Sequence, residues 1–510
     1  MTTMSTDGTP QSCRAEIYTR GEARRRSPNF AALIRVTAAL CATVFLLSNP
    51  VLADDSDGDR ISELEAKVEG LAEEIERLRE EKREDESGTP DASDDPSSNA
   101  AVEQKVNVLA RELDRLKRAV AVPEDKELKS VYGMGPAASK VYLKDRGLSL
   151  GGYGEAGFLA IVSDKDDRDN ISDALRAVIY LGYKFNDWIV LNSEYEFEHG
   201  TTGSGGSASV EFMTLDFLLH DAVNVKVGLV LTPMGFINEI HEPTYFYGVS
   251  RPSPERSIIP TTWREIGTGL FGSFASDKFS YKIYAMTGLN GEGFSSSGVR
   301  GGRQKGSKAL ANDWAVTARL DYEPTPGLLF GASLWSGASS QNNFDFDLWT
   351  TIWELHAQWK WRGLHTRALF TMAHIGDAGD LTAELLAKGG RCDATVLPEP
   401  VDPRPCHVAE RMLGGYAEIA YDVLPHIFPN TSMRLEPFYR WEINDTQNQM
   451  PAGVSPYLYE DFQTHVIGVQ YYPHPQVVIK ANYRNVSAQG RDIEGRKRPD
   501  DFQLGIGFVF

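Results

Sequence analysis

The last ten residues, Asp501-Phe502-Gln503-Leu504-Gly505-Ile506-Gly507-Phe508-Val509-Phe510, decide the fold. Successive side chains of an extended strand point to opposite faces. Phe502, Leu504, Ile506, Phe508 and Phe510 therefore share one face, and Gln503, Gly505 and Gly507 the other, with Val509 the apolar exception. A strand with large apolar groups on one side and small or polar groups on the other suits a wall between lipid and a wet interior. Left as a free edge it would template aggregation. It needs either closure into a barrel or the core of a soluble sandwich, and the rest of the chain selects the barrel.

The chain has 52 basic and 71 acidic residues, a balance that argues against a nucleic-acid partner, which requires a basic face. Mean hydropathy is −0.33. Beyond the N-terminal segment no run approaches the roughly 20 apolar residues of a spanning helix, and a membrane protein without such helices must be a barrel. At the N-terminus, Arg24, Arg25 and Arg26 precede an apolar stretch from Phe30 to Leu47, followed by Pro50-Val51-Leu52-Ala53. This is the pattern of a secretory signal, expected to be cleaved after Ala53. Of four cysteines, Cys392 and Cys406 remain. In an exported chain this spacing suggests a loop disulfide, which would contribute about 3 kcal/mol in the chain-entropy model. A reduced pair is the alternative.

Residues 54–130 read as a periplasmic coiled coil. Ile61, Leu64, Val68, Leu71, Ile75 and Leu78 form one heptad seam, and Val102, Val106, Leu109, Leu113, Leu116 and Val120 a second. A polar break at 84–100 separates them, and 131–146 is expected to be a linker. Seams this short are marginal as isolated helices, so a homotrimer is expected, with a helix packed on a barrel rim as the alternative. Asp54 to Arg60 does not make a calcium loop, because Arg60 and Ala66 stand where Gly and Glu are needed.

From Gly147 the period switches to two. Trp349, Trp353, Leu355, Ala357, Trp359 and Trp361 oppose Glu354, His356, Gln358 and Lys360, and Val477, Ile479, Ala481 and Tyr483 oppose Lys480, Asn482 and Arg484. Charge at every second position faces water, not lipid, so the interior is expected to be a wet lumen. Sixteen strands are expected between 147 and 510, with short and long connections in strict alternation, as in antiparallel transmembrane β-barrels. At that size a barrel encloses an aqueous channel.

Residues 233–264 form the most informative loop, with five prolines, four aromatics and charges at Glu239, His241, Glu242, Arg251, Glu255, Arg256 and Arg264. So many rigid and apolar residues suit a loop folded into the lumen as a constriction. A lid over the mouth or a subunit contact is the alternative. Gly151-Gly152-Tyr153-Gly154-Glu155, Tyr180-Leu181-Gly182-Tyr183-Lys184-Phe185-Asn186-Asp187, Ser193-Glu194-Tyr195-Glu196-Phe197-Glu198-His199 and Ile259-Pro260-Thr261-Thr262-Trp263-Arg264-Glu265 accompany the terminal Phe510. Together they resemble bacterial porins related to the phosphate-selective porin O and P family, over about residues 145–510.

The resemblance implies a trimeric sixteen-stranded anion channel in the outer membrane, with a basic constriction and an arginine ladder. It also implies a C-terminal signal, Phe502, Leu504, Ile506, Phe508 and Phe510, read by the barrel assembly machinery. The sequence departs from that pattern in its lumen. Arg319, Lys360, Arg434, Arg440, Lys480 and Arg484 are expected there beside Glu194, Glu354, Glu436 and Glu442, so the anion preference is unsecured.

The loop at 290–312 carries Arg300, Arg303, Lys305 and Lys308, either an anion-collecting mouth that could also hold lipopolysaccharide phosphates or a solvated loop. His356, His365 and His374 are scattered without an evident serine or paired acid, and no metal cluster or cofactor motif appears. The reading is therefore a passive channel for small hydrophilic solutes, not an enzyme, in contact with outer-membrane lipid and lipopolysaccharide. A structural anchor whose coiled coil docks on peptidoglycan is the alternative.

Overall fold

The computed structural model describes residues 128–164, 166, 168–388, 406–428 and 431–510. The expected signal peptide, nearly all of the coiled coil and Cys392 lie outside the described residues.

Sixteen antiparallel strands close into one barrel, each paired with its chain neighbours and β1 paired with β16. The first eight are β1 (Gly147–Ile161), β2 (Ile171–Lys184), β3 (Ile189–Glu198), β4 (Ser207–His220), β5 (Val223–Leu231), β6 (Arg264–Phe274), β7 (Phe279–Thr287) and β8 (Trp314–Thr325). The second eight are β9 (Leu328–Ala338), β10 (Trp349–Trp361), β11 (Leu364–Ile375), β12 (Arg411–Tyr421), β13 (Arg434–Gln449), β14 (Asp461–His474), β15 (Val477–Ala488) and β16 (Asp501–Val509). Among the described residues two short helices lie in loops, α1 (Pro254–Ser257) and α2 (Ala378–Ala387). Strand number and order match the sequence expectation. The largest difference is β13, which runs six residues past its expected end at 443.

The closing seam follows from the terminal pattern. Tyr153 pairs with Val509 and Ile161 with Asp501, and the Phe510 N–H donates to the Gly152 carbonyl at 2.9 Å. Phe502, Leu504, Ile506, Phe508 and Phe510 are 37–49% exposed, whereas Gln503 is 1% exposed. Their rings need glycine opposite them: a Cβ at Gly152 would sit 2.7 Å from the Phe510 ring, and one at Gly154 2.6 Å from the Phe508 ring. On the other strands Trp349, Leu355, Ile467, Ile479 and Leu334 are likewise exposed, an apolar outer belt of the kind that meets a membrane or another apolar surface.

Short turns gather at one rim and long loops at the other. Arg362-Gly363 joins β10 to β11 with φ of 45° and 82°, the left-handed pair that matches strand twist in a tight hairpin. The exception to alternation is the connection at 422–433, which carries a 3-10 turn at Leu424–His426 on the short-turn rim.

The interior departs from the expected wet lumen. Met234, Phe236, Ile237, Ile258, Ile259 and Trp263 of the β5–β6 loop are buried with wall residues Trp335, Ile352, Leu369 and Tyr416 in one apolar cluster. The Trp263 and Trp335 rings lie 5.2 Å apart. Inward wall positions of β9–β12 near the long-loop rim are apolar for this reason: they meet a folded loop and not water. Of residues 131–146, expected to link stalk and barrel, the part up to Tyr142 lies against the inner wall, with a 3-10 turn at Ala138–Val141, and Leu143 to Arg146 are exposed.

Candidate functional site

The inward loop is held by wall groups from most of the barrel circumference. On β3, His241 Nε2 meets the Glu194 carboxylate at 3.0 Å, while its Nδ1 faces the Asn238 carbonyl at 3.0 Å. On β7, Lys282 donates to Glu239 at 2.5 Å. Opposite, Arg440 donates to the Tyr247 carbonyl at 2.6 Å and to Glu442 at 2.7 Å. Lys480 donates to the carbonyls of Phe246 and Gly248, both at 2.9 Å. Arg319 donates to the Gly235 carbonyl at 2.5 Å and to Asp321 at 2.8 Å. Glu255 on α1 ties the loop to itself and to β12, accepting from Ile237 N–H at 2.7 Å and Tyr416 Oη at 2.5 Å. Gly235, at φ 67°, makes room for that carboxylate: a Cβ there would come within 2.5 Å of Glu255 Oε2.

The expected constriction residues thus have different fates. Glu239, His241 and Glu242 are anchoring groups. Burial pushes the Glu242 carboxyl up to about 7, against the backbone N–H groups of Ala137 and Ala138 that donate to it. For His241, burial favours the neutral ring, but the Glu194 carboxylate outweighs it and raises the pKa. Arg251 is half-buried, its Nη2 without a hydrogen-bond partner among the described residues. Burial and then Arg176 lower its pKa. Arg256 is exposed on α1. Arg264 is not in the loop but opens β6, donating to Glu211 at 2.8 Å.

Of the expected lumen cations, Arg319, Arg440 and Lys480 hold the loop, and Arg484 pairs with Asp501 at 2.6 Å. Lys360 and Arg434 have a different setting. They line a cavity of about 80 Å³ between the inward loop and the β10–β14 wall, together with Tyr245, Tyr247, His365 and Arg367. Arg367 lies 3.5 Å from Glu418, and Arg434 3.3 Å from Glu436. The Lys360 ammonium stands 5.9 Å from the centre of the Tyr245 ring. Three cations therefore meet two carboxylates around the one space. Arg367 and Arg434 answer the two carboxylates and Lys360 is the cation in surplus, so the cavity favours negative charge.

Sequence reasoning missed two arrangements. Arg303, expected in a mouth patch or a solvated loop, is buried and donates to the carbonyls of Pro260, Thr261 and Thr262 at 3.2, 2.8 and 3.0 Å. It clamps the inward loop from above. His356 does have paired acids: Glu354 at 2.9 Å on Nδ1 and Asp321 at 2.9 Å on Nε2. Period-two spacing put Glu354 beside it, but Asp321 comes from β8, two strands away. With a carboxylate on each nitrogen, and Ser333 donating to Glu354 rather than to the ring, the arrangement lacks the serine–histidine contact of a hydrolase.

These features define the class: a closed sixteen-stranded antiparallel barrel, apolar outside, with one long loop and the segment before β1 folded into a charged interior. A protein of Aquifex aeolicus (strain VF5) described as "Uncharacterized protein" is 33% identical over 404 residues, 78% of this chain and 87% of its own. The chain belongs to the same family as that protein. No family model matches it. Among solved structures, Salmonella typhi OmpF in complex with daunomycin is 14% identical, covering 72% of this chain and 98% of its own with a TM-score of 0.48. The anion-selective porin of Comamonas acidovorans is 10% identical, covering 71% and 99% with a TM-score of 0.43.

Proposed function

We propose that the protein spans an outer membrane and passes small hydrophilic solutes, anions in preference, between the inward loop and the β10–β14 wall. The cavity at Lys360, Arg367 and Arg434, with its surplus of positive charge, carries this reading. Phosphate, as the sequence resemblance suggests, is one anion of suitable size and charge. The same reading makes the C-terminal Phe510 strand the assembly machinery's recognition element, and a homotrimer in lipopolysaccharide-containing membrane the working form. Single-channel recording in planar bilayers under a salt gradient tests it. Steady conductance with an anion-selective reversal potential is expected, and cation selectivity would remove the anion preference.

The rival reading is a structural anchor tethered to the cell wall through residues 54–130. The near-complete burial of Glu194, Glu354, Arg440 and Lys480 favours it, since groups lining a wide channel would be wet. Absence of conductance from correctly folded protein would select the anchor.

A further inference from the structure

Leu128–Tyr142 occupy the barrel interior near the short-turn rim, against β1–β5. Met134, Ala137, Ala138, Val141 and Tyr142 are buried with Tyr153, Val178, Tyr180, Val190 and Leu231 of the wall. The polar contacts are specific. Glu242 of the inward loop accepts from Ala137 N–H at 2.9 Å. Asn192 donates to the Ala138 carbonyl at 3.0 Å. Tyr142 Oη donates to Asp216 at 2.5 Å, on the oxygen that also accepts from Lys226 at 2.6 Å. The wall is cut to receive the segment: a Cβ on Gly182 would lie 2.6 Å from Val141 Cβ, and one on Gly151 2.8 Å from the Ala137 carbonyl oxygen. The inward neighbours Tyr153 and Tyr180 are large, so the glycines fall where the segment docks.

The cavity lined by Lys360 and Arg434 sits at a similar height, near the short-turn ends of β10 and β13, on the far wall. We propose that Leu128–Tyr142 is a built-in plug that closes the β1–β5 side of the lumen and confines passage to the Lys360, Arg367 and Arg434 side. The proposal rests on the channel reading for its second half only. Docking of the segment can be tested without conductance.

The experiment uses the full-length protein. Gly182→Val places a side chain in the space of Val141 while leaving every polar partner of the segment intact. Single-channel conductance should at least double and anion preference should weaken, because a second path without the cavity's charge opens. In parallel, Ser139→Cys, fully buried in the segment, reports docking through a polar maleimide. It should be protected alone and react about tenfold faster beside Gly182→Val, as local release of the segment requires. Equal labelling in both backgrounds would overturn the plug. Labelling that follows Gly182→Val without a conductance change would overturn the confinement. Protection and release with no conductance in any variant would keep the plug and reject the channel. If Gly182→Val fails to fold by heat-modifiable gel mobility, Val141→Asp disrupts the same contact from the segment side and gives the same readouts.

Discussion

Arg440→Met is the most informative perturbation of the inward loop. Arg440 is 1% exposed and joins the wall to the middle of the loop. It donates to Glu442 at 2.7 Å, to the Tyr247 carbonyl at 2.6 Å and to the Ser250 carbonyl at 3.1 Å, and lies 3.6 Å from Glu418. Methionine fills much of the same volume but leaves Glu442 uncompensated, Glu418 with one cation fewer, and the carbonyls of buried Tyr247 and half-buried Ser250 without this donor. Breaking one side of a buried ion pair costs about 3–5 kcal/mol, more than the pair itself contributes. The expected loss of unfolding free energy is therefore about 3–5 kcal/mol, read from urea titrations of the protein in lipid vesicles by tryptophan fluorescence. Adding Glu442→Gln removes one stranded charge and should restore about 2 kcal/mol, so the double variant is more stable than Arg440→Met alone. A single-variant loss below about 1 kcal/mol, the range of exposed pairs, would refute the claim that the arginine is dry and structural. So would strict additivity of the two changes.

Other consequences can be measured separately. Glu242 in the folded protein titrates at about 7, while its unfolded value is about 4.3. The folded state binds the extra proton between those values, so stability falls as pH rises through that window, by about 4 kcal/mol in total. His241, raised by Glu194, acts in the same direction. Glu242→Gln should flatten the difference in urea midpoint between pH 5 and pH 8. Lys360→Glu and Arg434→Glu should each move the bilayer reversal potential toward cations, the double variant further, with heat-modifiability unchanged. Cys406 is disulfide-bonded and buried. If Cys392 is its partner, Cys392→Ser, Cys406→Ser and the double variant should lose the same stability, about 3 kcal/mol, and become insensitive to reductant.

The barrel was legible because each strand repeats a period-two rule that depends on nothing remote. Phe502 to Phe510 on the outside and Gln503 inside follow from alternation alone. The loop's inward fold was legible from its composition: prolines and aromatics such as Phe236 and Trp263 are out of place in water. What the loop touches was not legible. Arg440 reads as a channel-lining cation from β13 alternation, and nothing local says that the Tyr247 carbonyl arrives to meet it. The same holds for His356, whose second acid comes from β8, and for Arg303, whose partners are carbonyls some 40 residues earlier in the chain. The segment before β1 had the weakest signal, yet Gly151 and Gly182 stand at inward positions where the adjacent wall carries tyrosine.

The seat of that segment has a bearing on how the molecule is assembled. The Cβ position of Gly151 faces both the Ala137 carbonyl and, at 3.1 Å, the Phe510 carbonyl, and Val509 belongs to the same apolar cluster as Val141. The first described stretch and the last residue of the chain therefore meet at one point, across more than 370 residues of intervening sequence. Contacts of such sequence separation form late. The strand that seals the cylinder also completes the pocket for the segment within it, so the seat is whole only once the cylinder is closed. A chain stalled before its final strand would hold an unfinished seat and an unshielded edge at the same place, a single defect by which an incomplete molecule differs from a finished one.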